Sequence, residues 1–71
     1  MKKILEDICK IKPMLKIVLS SGKELNLNLK IYSVDLDKYE DAILFVYKDI
    51  EYIAVRYSDI VMISYTNKQF S

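Results

Sequence analysis

Few residues in this 71-residue chain are of types that carry out covalent or acid-base chemistry. It has one cysteine and no histidine, so neither a Cys-His nucleophile nor one of the usual structural zinc sets can be assembled from it. Cys9, beside Ile8 in an amphipathic segment, is interpreted as a small packing residue. No glycine-rich phosphate loop or pair of carboxylates on facing strands is evident. The sequence therefore predicts a protein that is not an enzyme and uses no cofactor or metal.

The acidic stretch at residues 35 to 41 is the one segment whose carboxylates suit a hard cation such as Ca²⁺. It lacks the glycine and the distal glutamate of an EF-hand loop. We therefore favour an ordinary acidic loop over a calcium site. The carboxylates concerned are those of Asp35, Asp37, Glu40 and Asp41.

The single arginine and several tyrosines are the side chains best suited to contact a ligand. Arg56 can grip a phosphate or stack on a base, and Tyr57 follows it directly. The alternative, which we favour for Arg56, is a solvated strand residue packed along a neighbouring tyrosine. The candidate contacts with RNA or a partner are Lys30, Tyr32, Tyr52, Arg56 and Tyr57.

Charge is unevenly spread although the net charge is only +1. Residues 1 to 30 hold seven lysines against three acids, whereas residues 31 to 51 hold two lysines against six acids. This asymmetry permits a basic face for a polyanion and equally permits head-to-tail contact between copies of the chain. Glu6 and Asp7 dilute the charge of the N-terminal segment, so we favour a solvated helix face there. Its lysines are Lys2, Lys3, Lys10, Lys12 and Lys16.

A short amphipathic helix over residues 1 to 12 is the first element that positions these side chains. Ile4, Ile8 and Ile11 recur at helical spacing with Leu5 beside them, and these residues predict its apolar face. Pro13 ends the helix, because its ring cannot continue the hydrogen-bond ladder.

After the proline the apolar period changes to two, which predicts strands. The first covers residues 14 to 20 and leads into a turn at 20 to 22, where Gly22 supplies a positive φ. The next covers residues 23 to 34, with every second side chain facing inward. Those side chains are Leu25, Leu27, Leu29 and Ile31.

Three more strands are predicted in the second half of the chain. Residues 42 to 46 are continuously apolar, so the strand at 42 to 48 should be central and covered on both faces. Strands at 51 to 57 and 60 to 65 meet at a corner formed by Ser58 and Asp59, and residues 66 to 71 form a frayed tail.

These elements predict one mainly β domain over residues 1 to 71, with a capping helix before a five-stranded, strongly bent antiparallel small barrel at 14 to 65. Five short sequential strands are too few for a useful sandwich, and closure would remove exposed edges. A chain this short buries only about 60% of its surface on folding, which makes self-association plausible.

The order of a helix, five strands, a hairpin glycine and a compact last corner resembles the Sm-like family, including the Hfq proteins, and SH3-like barrels in general. The resemblance covers residues 14 to 65. The first family signature is matched by Ile17, Leu19, Gly22, Leu25 and Leu29, and the second by Val55, Arg56, Ser58, Asp59, Ile60 and Ile63.

The chain departs from the family where the family binds RNA. Leu27 and Tyr57 stand where the family has glycines, Tyr57 and Ser58 stand where Hfq has a lysine and a histidine, and the Asp-Asn pair that binds bases has no clean equivalent. The resemblance therefore implies a fold and ring-like assembly, but it does not transfer an RNA site.

We expect a non-enzymatic binding and assembly module that forms homo-oligomers through edge strands and acts through a protein partner. The edge residues in this hypothesis are Ile53, Val55, Ile60 and Met62. The alternative is a divergent Sm-like RNA-binding protein that uses Arg56, Lys30 and surface tyrosines. With a single thiol and no apolar run of about 20 residues, we expect a cytoplasmic protein without a membrane span.

Overall fold

The structure, a computed structural model, describes residues 2 to 66 of the chain. It is mainly β with one N-terminal helix, as predicted. In chain order the elements are α1 (Lys2–Ile11), β1 (Met14–Leu19), β2 (Glu24–Asn28), β3 (Ser33–Asp35), β4 (Ala42–Tyr47), β5 (Glu51–Arg56), a 3₁₀ helix (Tyr57–Asp59) and β6 (Ile60–Thr66). Thr66 belongs to β6 rather than to the predicted tail, and the rest of that tail lies outside the described residues.

Helix α1 buries only part of the predicted apolar face. Leu5 and Ile8 are buried, whereas Ile4 and Ile11 are exposed by 59% and 49%. Leu5 and Ile8 are three residues apart and lie on one face of the helix, next to half-buried Cys9. The prediction of Ile4 and Ile11 as core residues was therefore wrong, because spacing alone did not distinguish two overlapping apolar faces.

The end of α1 agrees with the prediction from Pro13. Lys12 adopts a positive φ of 54°, and its N–H donates to the carbonyl of Cys9 at 3.2 Å. A left-handed residue directly after the last helical residue is a common helix C-cap. The chain thus leaves the helix and enters β1 within two residues.

The first sheet has the order β2-β1-β6 and is antiparallel throughout. Leu15 and Ile17 of β1 point into the core, where they are almost completely buried. Gly22, in the turn that joins β1 to β2, has a φ of 90°, so the predicted role of this glycine is confirmed. A bulge at Val61 shifts the register between β1 and β6.

The second sheet has the order β3-β4-β5. The strand predicted at residues 42 to 48 was expected to be central and covered on both faces. This is confirmed, since β4 lies between two strands and is buried from Ala42 to Phe45. Ile43 and Phe45 face the core opposite Val55 and Ile53 of β5.

The predicted strand at 23 to 34 is broken into β2 and β3. The carbonyl of Asn28 accepts the N–H groups of Ile31 and Tyr32 at 2.9 Å each, and the Asn28 side chain accepts the N–H of Lys30 at 3.0 Å. Asparagine side chains stabilise turns in this way and compete with strand pairing. Residues 29 to 32 therefore form a turn, and Ile31 is exposed instead of facing inward.

The predicted closed five-stranded barrel is not formed. The described residues make six strands in two three-stranded sheets, and no strand pairing within residues 2 to 66 joins one sheet to the other. The sheets and α1 share one hydrophobic core instead, made of Leu5, Ile8, Leu15, Ile17, Leu27, Leu29, Ile43, Phe45 and Val55. None of the helices in the described part of the chain has the length and apolar character needed to cross a membrane.

The predicted corner at Ser58 and Asp59 is confirmed as a one-turn 3₁₀ helix between β5 and β6. Two backbone hydrogen bonds hold it. The N–H of Tyr57 donates to the carbonyl of Asp41 at 3.0 Å, and the N–H of Ser20 donates to the carbonyl of Asp59 at 2.8 Å. The corner therefore ties the second sheet to the first hairpin.

Candidate functional site

Two grooves of opposite charge border β3. The larger, which we call the acidic groove, has a volume of about 530 Å³. Part of its apolar lining comes from Leu44 and Val46, which lie opposite Asp35 and Ser33 in the β3-β4 register. Its charged lining consists of Glu6, Asp35, Asp37, Asp49 and Lys38.

The smaller, which we call the basic groove, has a volume of about 320 Å³ and lies beside the end of α1. Lys12 and Lys30 supply its charge, and the ring of Tyr32 forms part of its wall. Ser33 and Val34 line both grooves, so the two are contiguous across β3.

The charges of the two grooves are largely uncompensated. Lys12 and Lys30 form no ion pair with any residue from 2 to 66. In the acidic groove Asp37 binds Lys2, with 2.9 Å between Nζ and Oδ1. That hydrogen bond raises the pKa of the Lys2 amine and ties the start of α1 to the acidic loop.

Tyr32 contacts Glu51 and Tyr47 at the edge of the basic groove. Its hydroxyl donates to Oε1 of Glu51 at 3.0 Å, and this hydrogen bond raises the pKa of the phenol. Its ring lies 5.5 Å from that of Tyr47, whose face is also 5.4 Å from the Lys48 amine. An aromatic ring beside two lysines can pack against a flat or apolar group that carries negative charge.

The five candidate contacts from the sequence do not form one surface. Lys30 and Tyr32 lie together in the basic groove, and Tyr52 lines the acidic groove. Arg56 stands at the end of β5 with Nε 3.2 Å from Oδ2 of Asp59, so its charge is partly neutralised.

Tyr57 is the candidate that is least accessible. Its half-buried ring packs against the core, and its hydroxyl oxygen is buried without a hydrogen-bond partner in the described structure. The ring is therefore a poor platform for a base.

The four candidate edge residues also differ in exposure. Val55 is buried in the core, and Ile53 and Ile60 are half-buried against it. Met62 is 50% exposed. Of these four side chains, Met62 is therefore the one most available to another chain, and at β5 the exposed side chains are others, such as Tyr52.

The acidic loop is organised by local hydrogen bonds. Oδ1 of Asp35 accepts the N–H groups of Asp37 and Lys38 at 2.9 and 3.0 Å. Within residues 2 to 66 no three Cys, Asp or Glu side chains lie close enough together to hold a metal ion. The calcium interpretation gains no support.

Cys9 is the residue of α1 that lines the basic groove. Partial burial raises the pKa of its thiol. A raised pKa lowers the thiolate fraction and therefore the reactivity of the sulfur at neutral pH.

Sequence reasoning missed Lys12 and Glu6 as lining residues, because both were assigned to the solvated face of the helix. The turn at 29 to 32 brings Lys30 to the end of α1, and the acidic loop brings Asp37 to its start. No local pattern in the sequence predicts that Lys30 or Asp37 lies close to α1.

Compared with models of protein families, with curated proteins and with solved structures, the chain gives no match. The Sm-like resemblance therefore stays a prediction.

Proposed function

We propose that this protein is a non-enzymatic binding and assembly module whose copies associate through the outer edges of β5 and of residues 60 to 65 of β6. The observation that carries the proposal is the strand order, in which β5 and β6 each pair on one side within residues 2 to 66. An edge strand presents unpaired N–H and C=O groups that another strand can bind. A single cysteine supports a reducing, cytoplasmic setting for this role.

Within the first sheet, the exposed side chains favour β6 over β2 as the edge that pairs with another chain. Val61 and Met62 of β6 are 67% and 50% exposed. The opposite edge strand, β2, instead presents Glu24 and Asn26 to solvent. Exposed polar and charged side chains discourage edge pairing, whereas exposed apolar ones favour it.

The topology also supports a divergent small-barrel architecture of the Sm-like or SH3-like kind. Four residues separate β2 from β3, and a 3₁₀ helix joins β5 to β6. Reading β2 and β3 as two halves of one bent strand restores the predicted count of five. In this interpretation a second chain would add to the outer edge of β5 or to residues 60 to 65 of β6, opposite their partners β4 and β1.

The test is a Met62→Lys variant, because a lysine on an edge strand opposes pairing with another chain. Light-scattering mass over a range of concentrations should show an oligomer for the unmodified protein and a smaller species for the variant. Asn26→Lys is the matched control, since it places the same charge on the opposite edge of the same sheet. An unmodified protein that stays monomeric at high concentration would refute assembly through these edges.

The alternative is an RNA-binding protein, and one observation favours it: Lys30 and Tyr32 lie together with Lys12 in the basic groove. Lysines can neutralise phosphates while a tyrosine stacks on a base. Binding of a short U-rich or A-rich RNA should then strengthen as salt falls.

Under this alternative Lys30→Ala weakens RNA binding. Arg56→Ala has a smaller effect, because Asp59 already pairs with the guanidinium. No RNA binding at low salt would exclude the alternative.

A further inference from the structure

We infer that β3 and the two grooves beside it form a self-complementary interface, through which two copies of this chain bind about a two-fold axis. The occupant of each groove would be the oppositely charged groove of the second copy. This interface shares Tyr52 with β5 and otherwise lies apart from the β5 and β6 edges, and it does not require strand pairing at them.

The inference begins from the placement of opposite charges on one continuous surface. The basic groove carries Lys12 and Lys30, and the acidic groove carries Glu6, Asp35 and Asp49 without ion-pair partners among residues 2 to 66. The two grooves meet at Ser33 and Val34. Charge of each sign is therefore available on either side of β3.

A two-fold axis would make the basic and acidic grooves of two copies complementary in charge. In a symmetric dimer the same patch of both copies meets, and a residue on one side of the axis faces the other side of the partner. An axis beside Ser33 would place each basic groove against the acidic groove of the second copy. Every contact of opposite charge then occurs twice.

Apolar surface near the axis can supply the remaining attraction. Ile31 is 51% exposed at the basic groove, and half-buried Val34, Leu36 and Val46 line the acidic groove. Exposed Tyr52 extends this apolar area. A centre of apolar and aromatic side chains within a charged rim is the usual composition of a specific interface.

Charge reversal tests this interface. If the charged residues only stabilised the fold of each copy, mixing two charge-reversed variants would not restore the dimer. The first variant, Lys12→Glu with Lys30→Glu, makes both grooves acidic. The second, Glu6→Lys with Asp49→Lys, makes the acidic groove basic and leaves the Lys2–Asp37 ion pair in place. Each variant alone should lose the dimer, because like charges would meet across the axis. An equimolar mixture should regain a dimer with one copy of each, since both pairs of grooves then have opposite charge.

The measurements are made in a Met62→Lys background, so that assembly through β6 does not contribute. Light scattering gives the mass, and circular dichroism verifies folding. The single changes Lys30→Glu and Glu6→Lys replace any double variant that does not fold. Lys3→Glu with Lys23→Glu changes the net charge equally at residues that line neither groove, and it should keep the dimer.

Three results would overturn the inference: a monomer in the Met62→Lys background at low salt, a dimer unaffected by charge reversal, or a mixture that fails to regain the dimer. An RNA that binds the basic groove of a monomeric protein would assign that groove to the alternative function instead. Loss of dimer in the control variant would show that net charge, and not these grooves, controls association.

Discussion

The phenol of Tyr32 donates a 3.0 Å hydrogen bond to the carboxylate of Glu51, and so joins the turn before β3 to the first residue of β5. Glu51 lies opposite Tyr47 in the β4-β5 register, and the Tyr32 ring packs 5.5 Å from the Tyr47 ring. Tyr32 therefore connects the turn before β3 to both β4 and β5 at this end of the second sheet.

The Tyr32–Glu51 bond predicts a loss of stability at alkaline pH. The bond favours the neutral phenol and raises its pKa above the ordinary value of about 10. A raised folded-state pKa means that the contribution to stability is complete below the ordinary pKa and disappears as the pH rises through the folded one. Urea unfolding at a series of pH values should show this alkaline loss, and Tyr32→Phe should reduce it.

Two further variants sharpen this test. Glu51→Gln should lower the pKa of Tyr32, as measured by the ultraviolet absorbance of the phenolate. Tyr39→Phe leaves the Tyr32–Glu51 bond in place and should keep the alkaline loss. Identical pH profiles for the unmodified protein and Tyr32→Phe would contradict the proposed role of this hydrogen bond.

The turn between β4 and β5 predicts a stabilising substitution. Lys48 and Asp49 both adopt left-handed conformations, with φ of 49° and 56°. This conformation costs about 1 kcal/mol or more in an ordinary L-residue and little in glycine. Asp49→Gly should therefore raise the free energy of unfolding by up to about 1 kcal/mol, as measured by urea denaturation.

Ile50→Gly is the comparison for the turn, since Ile50 has no positive φ. It should lower the free energy of unfolding or leave it unchanged, because glycine then only increases the freedom of the unfolded chain. An equal gain from both substitutions would argue against strain at Asp49.

Leu5 and Ile4 provide a direct test of which face of α1 is buried. Leu5 is fully buried, and the adjacent Ile4 is mostly exposed. Leu5→Ala should cost about 2–5 kcal/mol, whereas Ile4→Ala should change stability by no more than about 0.5 kcal/mol. If Leu5→Ala unfolds the protein, Ile8→Val gives a milder test with an expected cost of about 0.5–1.5 kcal/mol. A larger cost at Ile4 than at Leu5 would reverse the assigned orientation of the helix.

Removal of the Tyr57 hydroxyl should stabilise the protein. Its oxygen is buried and has no hydrogen-bond partner in the part of the chain that is described. A buried polar group without a partner costs about 1–3 kcal/mol. Tyr57→Phe keeps the ring against the core and should raise the thermal midpoint, with Tyr39→Phe, at an exposed position, as a neutral control. A lower midpoint for Tyr57→Phe would mean that the hydroxyl makes a stabilising hydrogen bond in solution.

Local sequence signals predicted most of the elements. Pro13 marked the end of the helix, Gly22 marked the first hairpin, and the unbroken apolar run at 42 to 46 marked the central strand of the second sheet. Each signal acts through the backbone or through burial within a few residues, so no knowledge of distant contacts was needed.

The predictions that failed required information about packing. Ile4 and Leu5 are both apolar and both fit a helical stripe, and contact with the core decided between them. Asn28 terminated a strand whose alternation continued past it, because its side chain and carbonyl formed a turn. Whether five strands closed into a barrel or separated into two sheets depended on pairing between distant segments.

The sequence by itself determined a mainly β domain with an N-terminal helix and an uneven distribution of charge. The tertiary structure decided which residues share a surface. Lys12 and Lys30 meet at one groove, and Glu6 and Asp37 at another, because α1 lies beside the segment that contains β3. Strand and helix periods are local, whereas the approach of residues far apart in the chain is set by how the shared core packs.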